Sequence, residues 1–133
     1  MQENDKLKIG FYLATLYNFI GILGFNAFFM DDTLSALNPV TFSLMGQIGI
    51  LLWGLAYFSV AKTYARVPLL LGVFCAEKLI YFLDWAIWLA KNGERLSGDL
   101  PIRFKIFFYT YGLGDLAFGV FFAIAALSVF KNR

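Results

Sequence analysis

Apolar positions in this chain neither alternate with polar ones nor share a helix with a polar face; they run on. Residues 9–30, 40–61, 67–90 and 106–130 are apolar nearly throughout, and sixteen of the twenty charged residues lie outside them. Each run reaches the roughly 20 residues that a helix rising ~1.5 Å per residue needs to cross about 30 Å of hydrocarbon. A soluble helix would keep a polar stripe, and a membrane strand would be shorter and alternating. The pattern therefore predicts an all-α polytopic membrane protein. Its four transmembrane helices would form an antiparallel up-down bundle, a single domain over residues 1–133. The first run is longer than the apolar core of a signal peptide and no small-x-small cleavage pair follows it, so it is expected to stay as a membrane helix. Pro39, Pro68 and Pro101 stand at or just before span starts, where a missing backbone N–H costs little.

Composition agrees and removes several chemistries. The 133 residues are 60% hydrophobic and 15% charged, against roughly 45–50% and about 25% in soluble domains. With no histidine, a Ser-His-Asp triad, a His-based zinc site and histidine-ligated haem are excluded. Cys75 is the sole cysteine and can form neither an internal disulfide nor a CxxC pair. The net charge of +2 offers no nucleic-acid surface. No cofactor and no metal site are expected.

Direction follows from the basic residues. Lys6, Lys8, Lys62, Arg66, Lys131 and Arg133 flank one side of the spans; Lys91, Arg95, Arg103 and Lys105 flank the other, among the acids Asp31, Asp32, Glu94 and Asp99. The richer side is expected to be cytoplasmic, with both termini there. Trp85 and Trp88, near the outer end of the third run, fit an interfacial belt. In residues 91–105, Leu96, Leu100, Ile102 and Phe104 interleave with charges, as in a segment lying on the outer surface or a solvated loop. Short loops and the lack of eukaryotic sorting signals point to a multi-pass protein of a prokaryotic plasma membrane.

Glycines add packing information. Residues 49–54 (GILLWG) echo residues 114–119 (GDLAFG), as two hairpins repeated in parallel would, or as two apolar helices drawing on one small alphabet. Gly119 and Ala123 form a small-xxx-small pair, suited to a subunit interface or to packing within the bundle.

Four charges interrupt the apolar runs: Glu77, Lys78 and Asp84 in the third and Asp115 in the fourth. Each costs at least ~2.5–3.5 kcal/mol at mid-bilayer and must be paired, neutralised or wetted. Measured from span centres, Asn18, Glu77, Lys78 and Asp115 fall near the midplane, with Gln47 and Asp84 about 7 Å further out. The expectation is a polar shaft opening outward. Glu77, Tyr81, Asp84 and Trp88 recur at helical spacing on one face, and Phe108, Tyr111, Asp115, Phe118 and Phe122 make a matching stripe. Lys78 is about 100° round the helix from Glu77, so Asp115, at similar depth, is its expected charge partner. Glu77 and Asp84 must then hold protons, water or a cationic ligand.

Glu77, Tyr81, Asp84, Trp88, Tyr111, Asp115, Asn18 and Gln47 are thus the candidate ligand-binding residues. The leading expectation is a cavity that binds or transports a small molecule or cation, with a proton exchanged at Glu77 or Asp84. One alternative is an intramembrane acid-base enzyme of the isomerase type, acting on a lipid-like substrate. The other is a noncatalytic membrane subunit or assembly factor. Expected partners are the lipid bilayer, a small cationic or amphipathic ligand, and a homodimer or larger membrane complex, since four helices make a thin wall.

Overall fold

A computed structural model describes residues 5–132; Arg133, which enters the charge comparison above, lies outside the described residues. The described chain is helical with no strand, and it divides after Lys62 into two compact units. Each is an antiparallel helical hairpin.

The first hairpin pairs α1 (Asp5–Phe19) with α3 (Leu44–Val60). α1 buries Phe11, Ala14, Thr15 and Asn18, one face at helical spacing, and continues through a π-helical turn, Ile20–Gly24, that buries Ile22. The first apolar run is thus not helical to residue 30. Ala27, Phe28 and Phe29 take positive φ values of 49°, 55° and 70°, a left-handed conformation that costs non-glycine residues roughly 1–2 kcal/mol each. Asn26 holds this turn in place: its Oδ1 accepts from the Phe29 amide (3.1 Å) and its Nδ2 donates to Gln47 Oε1 (2.7 Å). Asp31 then accepts from the Thr33 amide and hydroxyl and starts the five-residue α2, Thr33–Leu37. The second helix begins at Leu44 rather than residue 40, because Ser43 Oγ accepts from the Gly46 amide (3.0 Å) and caps it there. Along the seam, Thr15 Oγ1 donates to the Gly54 carbonyl (2.9 Å), Asn18 Nδ2 to the Ile50 carbonyl (2.8 Å), and Tyr12 packs on Phe58.

The second hairpin follows a 3-10 turn, Tyr64–Arg66, and pairs α4 (Pro68–Asn92) with α5 (Ile102–Lys131). Pro68 occupies the first turn of α4, where its missing donor is harmless. Their connection is a 3-10 turn, Gly93–Leu96, then an irregular stretch through Gly98, whose φ of 92° suits glycine. α5 starts four residues before the apolar run does, directly after Pro101. It buries Phe104, Phe108, Tyr111, Asp115, Gly119, Phe122, Ala126 and Val129, spaced by threes and fours as in the seam of a coiled coil.

The surfaces invert the soluble pattern. Leu13 and Leu16 on α1, Ile20 at the start of its π-helical turn, Leu52, Leu55 and Phe58 on α3, Ile80, Leu83 and Ile87 on α4, and Leu113, Val120, Ile124 and Leu127 on α5 are all exposed. Asn18, Gln47, Glu77, Lys78 and Asp115 are buried. Apolar patches on water-soluble monomers rarely exceed a few hundred Å². Asp5–Gly24 and Ile102–Lys131 are long and apolar enough to cross a membrane, and Leu44–Val60 is a shorter apolar helix.

Candidate polar site in the second hairpin

The seam of the second hairpin is built around one buried ion pair. Lys78 Nζ donates to Asp115 Oδ1 at 3.1 Å, with Lys78 1% and Asp115 5% exposed. The ammonium also lies 5.9 Å from the centre of the Phe118 ring, a cation–π distance. α5 can approach this closely because Gly119 faces the root of Lys78; a β-carbon there would sit 3.4 Å from Lys78 Cβ and 3.1 Å from Leu79 Cδ2. Gly119 therefore packs within its own hairpin.

Aromatic layers enclose the pair along the seam. On the termini side, Phe74 meets Phe122 with ring centres 5.3 Å apart. Towards the connecting loop, Trp85 Nε1 donates to the Phe108 carbonyl at 2.7 Å, and Trp88 stacks obliquely on the Phe108 ring at 5.1 Å. Tyr111 stacks on Phe107 and meets Trp85 edge-on. The Trp85 indole fills a slot left by Gly112, where any β-carbon would fall about 2 Å from the ring. Such layers keep water from the ion pair and strengthen its field.

The seven residues proposed from α4 and α5 all map to this hairpin. Lys78 and Asp115 are in contact; Tyr111 and Trp88 both meet the Phe108 ring, towards the connecting loop; Glu77 is 7% exposed and sits beside Lys78 on α4. Tyr81 and Asp84 are half-buried on the same α4 face as Glu77. Asn18 and Gln47 belong to the seam of the first hairpin. There, besides the Asn18 bond to Ile50, Gln47 accepts from Asn26 and donates to the Phe42 carbonyl at 2.8 Å.

Trp85 and Asn26 are the residues that sequence reasoning underrated. Trp85 is buried in the seam rather than placed in an outer belt. The signal was present: in an antiparallel pair, a contact between Lys78 and Asp115 puts the residue two turns on, Trp85, opposite the residue two turns back, Phe108.

The glycine echo falls on equivalent places. Gly54, the second glycine of its hexapeptide, faces Asn18, as Gly119 faces Lys78. Each of those polar residues donates to the position four residues before the glycine: Asn18 to the Ile50 carbonyl, Lys78 to the Asp115 carboxylate. Among the described residues no group of three or more His, Cys, Asp or Glu side chains could hold a metal ion, and Cys75 is a half-buried free thiol. No protein-family model, curated protein or solved structure matches the chain.

Proposed function

We propose that this chain is a multi-pass protein of a prokaryotic plasma membrane whose second hairpin binds or transports a small cationic molecule. The four long helices are its four spans, with both termini in the cytoplasm and the two hairpins inserted in the same direction. The inverted surface supports the membrane reading, since every long helix turns leucine, isoleucine or phenylalanine outward and keeps amides or charges inside. At about 25 Å, the 17-residue α3 is shorter than the 20 residues of α1 with its π-helical turn, and lies at the lower end of the spanning range.

The observation that carries the functional reading is the charge balance in the second hairpin. Three carboxylates, Glu77, Asp84 and Asp115, share this aromatic-rich hairpin with a single ammonium of the apolar spans, Lys78, which donates to Asp115. A negative field in a low-dielectric surrounding attracts a proton or an organic cation, and tyrosine and tryptophan faces favour the same guests. Glu77 and Asp84 are the proposed acceptors, Tyr81, Trp88 and Tyr111 the walls, and Lys78 with Asp115 the fixed floor.

Equilibrium binding of tetraphenylphosphonium to the protein in lipid nanodiscs tests this. Saturable binding is expected, weakened about tenfold in Glu77→Gln. No saturable binding, or equal affinity in the variant, refutes it. The competing reading, in which the polar residues only fasten helices, predicts a folded Glu77→Gln protein with a changed melting temperature and no ligand to lose.

A further inference from the structure

A left-handed turn at residues 27–29 follows the π-helical end of the first helix and takes no part in the proposed cation site. The apolar run continues through Phe28, Phe29 and Met30, yet the backbone leaves the helix at residue 25. Phe28 is 74% exposed and Met30 87%. Three successive non-glycine residues at positive φ are costly, and the turn is held by bonds to five of its amides. The amides of Asn26, Phe28, Phe29, Met30 and Asp31 all donate within the turn or back to the π-helical turn before it, at 2.8–3.1 Å. Asn26, fully buried, ties the turn to Gln47 on α3.

This is how a non-helical backbone survives in an apolar medium: it satisfies its donors internally and points hydrocarbon outward. Water would demand neither. From this geometry we infer that residues 27–30 form a lipid wedge, seated at the boundary between headgroups and acyl chains of the outer leaflet. The inference rests on the membrane reading above. Three observations fix lipid as the occupant. The exposed side chains continue the apolar outer faces of α1 and α3, and Val40, Leu44 and Met45 are exposed at the same end of the hairpin. The carboxylates of Asp31 and Asp32 follow at once and mark where water begins. The first hairpin is also the shorter one: α3 has 17 residues against 25 in α4 and 30 in α5. An apolar turn supplies hydrophobic height beside α3, the short helix of this hairpin.

Spin labels provide the test, in the full chain with Cys75→Ala, reconstituted in vesicles of phosphatidylcholine and phosphatidylglycerol. Labels at Phe28→Cys and Met30→Cys should collide with oxygen in preference to a water-soluble nickel complex, as should a control at Leu16→Cys on the outer face of α1; a label at Asp32→Cys should show the reverse. All four labelled positions are exposed, so folding is not at stake. If the Met30→Cys label prefers nickel while Leu16→Cys prefers oxygen, the turn projects into water and the wedge is refuted with the membrane reading intact. A nickel preference at Leu16→Cys overturns both. An immobilised label at Met30→Cys, shielded from both collision partners, means a protein covers the turn and likewise overturns the wedge.

Discussion

The two hairpins solve one packing problem with different chemistry. In the first, the seam is held by neutral groups: Thr15 and Asn18 reach main-chain carbonyls of α3, and Asn26 and Gln47 bond to each other. In the second, the place of Asn18 is taken by Lys78 and that of Ile50 by Asp115, and the seam fills with aromatic rings. A hydroxyl or amide against a carbonyl suffices to join two helices. A buried ion pair costs desolvation of both partners and adds little net stability over apolar packing. The charge in the second hairpin is therefore more than packing requires, and this contrast is why the cation site is proposed there.

Substitutions should separate the two seams, most sharply at the ion pair. Lys78→Met leaves the Asp115 carboxylate buried without its cation and should cost about 3–5 kcal/mol in detergent-titrated unfolding. Adding Asp115→Leu should recover most of that loss. If the double variant is no better than the single one, the pair is not the unit described. Gly112→Ala comes next, at about 1–3 kcal/mol or more, because its β-carbon enters the Trp85 ring. The matching change in the first hairpin, Gly54→Ala, meets Phe19 and Asn18 only at 3.2–3.3 Å and should cost less than about 1 kcal/mol; melting temperatures of the two variants give the comparison.

Smaller effects sharpen the neutral seam. Asn18→Leu removes the bond to Ile50 and should destabilise by about 0.6 kcal/mol, the average for interhelical hydrogen bonds in membranes. A loss as large as that of Lys78→Met would erase the distinction between the hairpins. Ala27→Gly relieves left-handed strain but frees the unfolded chain, and should raise stability by no more than about 1 kcal/mol.

Composition located the helices well and their ends poorly, for one physical reason. Apolar content reports the surrounding medium, whereas a helix stops where backbone bonding changes. Phe28 and Met30 are as apolar as the helix before them, so nothing in hydropathy marks the exit at residue 25; the marker is Asn26, whose amide can stabilise a left-handed turn. Ser43 was a legible cap, overshadowed by Pro39 upstream. Arg103 and Lys105 hid the true start of α5, although Pro101 announces it. On α4 the face through Glu77, Tyr81, Asp84 and Trp88 could be read from spacing, but the seam to α5 meets it only at Trp88 and otherwise runs beside it, through Leu71, Phe74, Lys78 and Trp85. A helix that is apolar all round carries no moment to say which face turns to its neighbour. The Lys78 and Asp115 charges supply that register, because each must find the other.

The most direct test of the central claim is a tetraphenylphosphonium titration of four variants in nanodiscs, two from each hairpin. Glu77→Gln and Asp84→Asn should each lose about tenfold in affinity, while Asn18→Leu and Gln47→Leu, once shown to be folded, should bind as the parent chain does. Loss confined to the first-hairpin pair, or affinity unchanged in all four, would contradict a cation site in the second hairpin.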